Sequence, residues 1–442
     1  MKKQFLFLLL FAVSFQISKA QSGTAFSLQQ CVDYAMQHNS NVLNGQIDVD
    51  IAQKQIQELV GVGLPQVSGS VSVNDFLQIP TSLIPGEFFG GAPGTYTPVK
   101  FGTQYSGSVG GSVSQLIADG SFFVGLQASR TFQELSQKLS TRTNIETKAE
   151  VMKAYYTALM SKKSLAVINA NISQLEKLKN DTKVMYDNGF VEKLDVDRIT
   201  VAFNNLVTLK TNAEKMVELS SQLLKFQMGF DVNTTLSLTD TLTPMNFESL
   251  IQTASNFNKG NRVEFQLLQT QRTLNTLNIK RYEVGYLPSL FAIGSYTYNW
   301  SGTEFNPFSS DQWYPTALIG AQLNIPIFDG FIKSKHIQES KLELQKTDNN
   351  ILNLTNGMNL EVNSARITLE NAAANLSSQE ANVKLAQDVY ATAKTKYQQG
   401  VGSLLEIMNG NTALVEAQNN YLTALYDAWI ASVNLKKALG TL

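Results

Sequence analysis

The chain has 442 residues, with 35 lysines and arginines against 36 aspartates and glutamates, and a formal net charge of −1. This balance gives no support for nucleic-acid binding. The only cysteine, Cys31, excludes an internal disulfide, and His38 and His336 stand far apart with no carboxylate at ligand spacing, so we predict no metal site, no other cofactor and no enzymatic activity.

Residues 1–20 have the features of a secretory signal peptide. Lys2 and Lys3 precede a short apolar run, and Ser18-Lys19-Ala20 supplies small residues for cleavage after Ala20. The run is too short to span a membrane, and no apolar run of about 18 residues follows it. If the mature chain enters a membrane, it must do so through strands, and only a closed barrel satisfies the backbone of strands in lipid.

The first half of the mature chain, residues 21–230, is predicted to contain two strands and a helical hairpin. The strands lie near 66–79 and 103–117, where valines alternate with serines and glycines, as in a barrel wall between lipid and water. A half-exposed sheet in a soluble protein is the alternative. The stretch from about 79 to 103 is rich in proline and glycine and is expected to be a loop.

A long helical hairpin is predicted at 131–229. Residues 131–188 contain no proline and no glycine, and a helix of this length reaches roughly 85 Å at about 1.5 Å per residue. Heptad spacing in the returning helix favours a coiled coil, and the polar remainder requires water on several faces. A plain antiparallel coiled coil is the alternative for this segment.

The second half, residues 231–442, is predicted to repeat the first. Strands are expected near 289–300 and 316–327, and a second helical hairpin at 331–440. An offset of 211 residues superimposes Tyr186 on Tyr397, Asp195 on Glu406 and Gly229 on Gly440. Neither half has a core of its own, which indicates one architecture with an internal two-fold repeat. Because four strands are fewer than the eight or so of the smallest barrels, closure needs several copies, and three copies would supply twelve strands.

These features resemble the TolC family of outer-membrane efflux proteins over nearly the whole mature chain. The resemblance is carried by Leu64-Pro65 and Leu287-Pro288 before strands, by the junction at 324–330, and by Tyr-x-x-Gly turns at Tyr186 and Tyr397. It implies an α+β membrane protein, a homotrimer with one 12-stranded outer-membrane β-barrel continued by a periplasmic α-helical coiled-coil tunnel. The implied function is the passive exit duct of a tripartite efflux or type I export system.

The resemblance also implies partners and site residues. The partners are a periplasmic adaptor (membrane fusion protein), an inner-membrane pump and outer-membrane lipid. The implied adaptor-docking residues lie at two helix-turn-helix tips, and they are Gly400, Val401, Gly402 and Ser403, with Gly189 in the first half. The implied periplasmic gate residues are Glu406, Asp195 and Tyr397. A gate arginine of the family is replaced by Gly402 and a second acid by Asn409, so we expect a gate with fewer ionic contacts.

Alternatives remain open for the function and for each site. A structural coiled-coil protein of the envelope and a nutrient porin are the other candidate functions. Glu406 and Asp195 could be first-turn acids that interact favourably with the helix dipole. The glycines could serve only as turn formers, and Tyr397 could serve only in packing.

Overall fold

The computed structural model describes residues 24–309 and 313–442. The predicted signal peptide, residues 1–20, lies outside them. The elements in chain order are β1 (Thr24–Phe26), α1 (Leu28–His38), α2 (Ser40–Val62), β2 (Gln66–Asp75), β3 (Thr81–Pro85), β4 (Tyr96–Lys100), β5 (Tyr105–Ala118), α3 (Gly120–Asp187), α4 (Lys193–Met228), β6 (Leu236–Leu238), α5 (Glu248–Thr253), α6 (Val263–Val284), β7 (Ser289–Gly302), β8 (Trp313–Asn324), α7 (Ile332–Gln398) and α8 (Leu404–Leu439). Short 3-10 helices lie at Gly86–Phe89, Ala254–Asn256 and Lys259–Asn261.

The described chain divides into two compact units. One comprises residues 138–266 and 353–442 with the N-terminal segment up to Ile47, and the other comprises residues 48–137 and 267–352. The helices α3 and α7, with 68 and 67 residues, contribute to both units. None of the helices in the described residues has both the length and the apolarity that a transmembrane helix requires.

The strand unit contains a four-stranded antiparallel sheet in the order β2-β5-β7-β8. Strands are thus present at or near all four predicted segments. Val67 pairs with Val113 and Val71 with Val109, so one face of the β2–β5 pair carries valines. On the other face Ser68 pairs with Ser112 and Ser72 with Ser108. The hydroxyls of Ser68 and Ser112 lie 2.9 Å apart, and those of Ser72 and Ser108 lie 2.8 Å apart. Every residue of β2 is exposed in the single chain.

Three features of this unit differ from the sequence analysis. The expected loop at 79–103 contains the antiparallel hairpin of β3 and β4, and the helix expected from residue 131 already begins at Gly120. The helices α2 and α6, of 23 and 22 residues, precede the strand pairs and were not predicted. A usable signal existed in α2, where Leu43, Ile47 and Ile51 follow each other at the four-residue spacing of one helix face.

The other unit has a core formed by α1, the short parallel pair β1–β6 and parts of the four long helices. Asp240 joins these parts, because its Oδ2 accepts hydrogen bonds from the Leu28 amide at 3.0 Å and from the Tyr155 hydroxyl at 2.8 Å. The Leu28 bond, followed by that of Tyr155, lowers the pKa of this carboxyl. Cys31 lies in the same core, where burial raises the pKa of its thiol to about 12. The unpredicted α1 begins with a capping box formed by Ser27 and Gln30, a further signal in the sequence.

Candidate functional site

The tips of the two helical hairpins have the same backbone structure. Each returning helix has 36 residues, and each long helix ends with a glycine in the left-handed region, at a φ of 82° for Gly189 and 76° for Gly400. A residue without a Cβ adopts this φ at little cost. Each turn carries the paired hydrogen bonds of a Schellman motif. These bonds run from the amides of Gly189 and Phe190 to the carbonyls of Tyr186 and Met185, and from the amides of Gly400 and Val401 to the carbonyls of Tyr397 and Lys396, at 2.9–3.0 Å.

Gly402 is required for a different reason, namely close packing. A Cβ at this position would lie 2.9 Å from the Lys396 Cβ and 2.9 Å from the Tyr397 amide nitrogen, distances at which a neighbour must move. The Gly402 amide also donates to the Lys396 carbonyl at 3.1 Å. The turn is therefore compact and has no room for a side chain at position 402, where the family resemblance would place an arginine.

The two acids predicted for the gate lie in the first turns of the returning helices. Glu406 is exposed on α8, and its amide donates to the Oγ of Ser403 at 3.2 Å, so Ser403 is the N-cap of this helix. Asp195 is partly buried on α4, and its Oδ1 lies 4.0 Å from the Arg198 guanidinium. Both acids are placed where a helix dipole favours negative charge. The helix α4 has Glu192 at its N-cap position without a side-chain hydrogen bond.

Tyr397 lies inside the protein rather than on its surface. Its side chain is only 7% exposed and packs in a core to which all four long helices contribute, with members Leu175, Leu178, Ile199, Leu206, Tyr390, Ala393, Leu404, Ile407 and Leu414. Its hydroxyl is buried without a hydrogen-bond partner among the described residues. In this conformation the hydroxyl does not reach a surface where another copy could contact it. Tyr390 packs in the same core, where burial raises the pKa of its hydroxyl.

A groove of about 560 Å³ runs between the end of α7 and the start of α8. Glu406 and Asn409 line it on α8, and Asp388 and Lys396 line it on α7. Here α7 and α8 approach closely, since a Cβ at Gly410 would lie 3.3 Å from the Tyr390 Cα. Glu406 therefore shares its groove with a cation and a second acid. Among the described residues, no group of three or more histidine, cysteine, aspartate and glutamate side chains could hold a metal ion.

Exposed apolar side chains lie at both tips, and of these only Val401 was among the predicted docking residues. Phe190 is 77% exposed and Val401 is 76% exposed, at equivalent positions directly after the left-handed glycines. Leu194 and Leu405, each 51% exposed, are a second equivalent pair. The 211-residue offset relates Phe190 to the predicted Val401, and Leu194 to Leu405, so it was a signal that could have identified the first-half residues. The structure thus brings the predicted docking residues of each tip together with an apolar surface.

Comparisons with known proteins agree with this architecture. Residues 277–441 match the model of the family described as outer membrane efflux protein. The chain is 21% identical to the outer membrane protein TolC of Vibrio cholerae over 76% of this chain and 77% of that protein. It is 23% identical to the outer membrane efflux protein BepC of Brucella suis over 76% of this chain and 72% of that protein. The crystal structure of the outer membrane protein VceC from Vibrio cholerae superimposes with a TM-score of 0.72 at 14% identity, covering 93% of this chain and 96% of that chain.

The predicted resemblance to outer-membrane efflux proteins is therefore confirmed. The predicted class of function, a channel for efflux or export, and the predicted location in the outer membrane are confirmed with it. The roles of individual tip residues stay predictions.

We expect Gly402→Ala to loosen the second tip, because the new methyl group has to displace Lys396 or the Tyr397 backbone, at a cost of about 1–3 kcal/mol. Gly357→Ala is the matched control within α7, since a Cβ there has nothing within 4 Å. This control should stabilise the helix by about 0.5–1 kcal/mol. Amide hydrogen exchange of residues 396–407 measures the difference. Equal protection of the tip in the two variants would contradict the close packing at Gly402.

Proposed function

We propose that three copies of this chain form one exit duct of a tripartite efflux or type I export system, which conducts substrates passively to the exterior. The observation that carries the proposal is the four-stranded sheet, in which β2 and β8 each have a strand neighbour on one side only. In lipid, every backbone group at these two edges needs a partner. Three sheets joined edge to edge give a closed barrel of twelve strands, in which β2 of one copy runs antiparallel to β8 of the next.

The exposed side chains of the sheet support this assembly. Val67 and Val71 on β2 and Ile319 on β8 are large apolar residues that are mostly exposed in the single chain. Each sits on an edge strand, where one face meets lipid and the open edge meets the next copy. Contact with lipid accounts for the exposure of these two valines and this isoleucine, which water would disfavour.

The helices support the same stoichiometry. Leu209, Met216 and Leu223 follow each other at seven-residue spacing on α4, and all three are exposed in the single chain. An apolar heptad row of this kind requires a facing helix. We assign that helix to the neighbouring copy, so that four long helices from each of three copies line a periplasmic tunnel.

The gate proposal places Glu406 at the narrow end of this tunnel. Three Glu406 carboxylates, joined by three of Asp195, would repel one another and attract cations. Lys396, which lines the same groove as Glu406, and Arg198, beside Asp195, reduce this repulsion. Tyr397 holds the end of α7 against the start of α8 through the core at the tip, and a contact of its hydroxyl with the next copy would require the side chain to turn outward.

The docking proposal assigns the adaptor to the tips. The turns at Gly189 and at Gly400, Val401, Gly402 and Ser403 carry small side chains, which let a helical hairpin approach the backbone. Phe190, Val401, Leu194 and Leu405 add exposed apolar contacts. The adaptor then joins this duct to an inner-membrane pump, and the pump selects the substrate.

Native mass measurement of the detergent-solubilised protein is expected to show a trimer. The double variant Leu209→Ser with Met216→Ser should lower the temperature at which the trimer dissociates, because each side chain loses about 1.5–3 kcal/mol of burial per copy. The control is Lys210→Ser with Lys215→Ser, two neighbours on the same helix whose side chains are 41% and 78% exposed. A monodisperse monomer of the unaltered chain would exclude the barrel.

For the gate, we expect Glu406→Gln to reduce the cation selectivity of single channels in planar bilayers several-fold, because it removes a charge and keeps the size of the side chain. Glu218→Gln removes the same charge from α4, far along the chain from the tips, and should change selectivity little. If Glu406→Gln leaves selectivity unchanged, Glu406 does not line the conduction path.

For docking, Val401→Asp should weaken adaptor binding about tenfold or more, since it places a charge in the centre of an apolar contact. Val401→Ala keeps an apolar, small side chain and should retain binding. Both substitutions are at a position that is 76% exposed, so the fold should be unaffected. Export activity and adaptor co-purification are compared at equal trimer levels in the membrane. Full export with Val401→Asp would place docking elsewhere.

A further inference from the structure

The β3–β4 hairpin between β2 and β5 has one covered face and one bare face. Its strands pair in a regular antiparallel register from Thr81↔Lys100 to Pro85↔Tyr96. On one face Ile84, Thr97 and Val99 are half-buried and only Ser82 is exposed, whereas every residue of the opposite face is exposed. The bare face consists of Thr81, Leu83, Pro85, Tyr96, Pro98 and Lys100.

The middle of this bare face, between Thr81 and Lys100 at its open end and the turn, is apolar. Leu83 is 66% exposed and Tyr96 is 64% exposed, and the 3-10 helix at the end of the hairpin adds the exposed Phe88 and Phe89. The turn is held together by hydrogen bonds from the Gly86 amide to the Thr95 carbonyl at 2.7 Å and from the Gly91 amide to the Gly86 carbonyl at 2.8 Å. A contiguous exposed apolar surface on a hydrogen-bonded hairpin is typical of a protein contact.

The charge around the hairpin distinguishes between the possible binding partners of its bare face. Residues 76–104 contain only two charged side chains, Glu87 and Lys100. A lipid headgroup with phosphates would require a cluster of basic residues. The surface therefore fits an apolar protein partner.

The position of the hairpin identifies that partner as a second copy of this chain. The hairpin begins six residues after β2 ends, and β2 is the edge strand that meets β8 of the next copy in the proposed trimer. In that antiparallel pairing, the end of β2 at Asp75 and the start of β8 at Trp313 lie at the same rim. The segment 303–309 leads into this rim, and its Phe308 is 95% exposed.

We infer that the bare face of the β3–β4 hairpin packs on residues 303–309 of the neighbouring copy, with Leu83 against Phe308. Three such contacts form an apolar collar around the outer rim of the barrel. Within its own chain, segment 303–309 is held by ring contacts of Phe305 with Tyr105 and Trp300, at centroid distances of 5.5 Å and 6.0 Å, whereas Phe308 has almost no contact and is available to a neighbour. The inference rests on the proposed trimer.

Disulfide trapping in whole outer membranes tests the contact. The double variant Leu83→Cys with Phe308→Cys, treated with copper–phenanthroline, should give dimers and trimers on a denaturing gel that revert to monomer with a reductant. The native Cys31 is fully buried and gives no background. The matched control is Ser82→Cys with Phe308→Cys, since Ser82 is the adjacent residue on the opposite face of the hairpin. The control and both single variants should stay monomeric on the gel.

The outcomes distinguish the Leu83–Phe308 contact from the proposed trimer itself. Trimers by native mass without cross-linking of the double variant would overturn the contact and leave the exit duct intact. Cross-linking of Leu83→Cys alone would show that hairpins meet one another, which also overturns it. A monomeric unaltered protein would overturn both. As a second measurement, Leu83→Ser with Tyr96→Ser should lower the temperature of trimer dissociation, whereas Ser82→Ala with Thr97→Ala should not.

Discussion

The unpaired backbone at the two edges of the four-stranded sheet is the constraint on which the rest of the molecule depends. A single chain supplies β2-β5-β7-β8 and no more within the residues described, and an open edge in hydrocarbon costs several kcal/mol for each amide or carbonyl left without a partner. Once neighbouring copies are required to pair these edges, other features follow. The exposed heptad row of α4 and the bare face of the β3–β4 hairpin are uncovered in one copy, and the proposed trimer would cover both.

The tips show how function and stability share the same residues. The left-handed glycines at 189 and 400 end the long helices, and Gly402 lets the second turn pack tightly on Lys396 and Tyr397. The same small residues leave the backbone accessible to a partner. The core beneath them, which includes Tyr397, receives side chains from all four long helices, so the two tips share one packed core.

The sequence predicted the strands and long helices because their signals are local. Alternating valines and serines and long stretches without proline specify the structure of one segment each. The β3–β4 hairpin was not predicted because Pro85 and Pro98 argued against strands, yet each strand of a two-stranded ribbon has a free edge where a missing amide costs nothing. The burial of the Tyr397 hydroxyl and the groove shared by Glu406 and Lys396 could not be predicted, because they depend on how helices distant in sequence pack together.

The equal lengths of the returning helices limit how the chain can change over evolutionary time. The helices α4 and α8 have 36 residues each, and α3 and α7 differ by one residue. One inserted or deleted residue would rotate every following side chain by about 100° and turn a heptad row away from its partner. Insertions and deletions are therefore expected to accumulate between β2 and β5 and between β7 and β8, where the two connections already differ in length. In the proposed duct these two connections lie at the rim that faces the cell's surroundings, so sequence change there is limited by contacts between copies and not by the register of the helices.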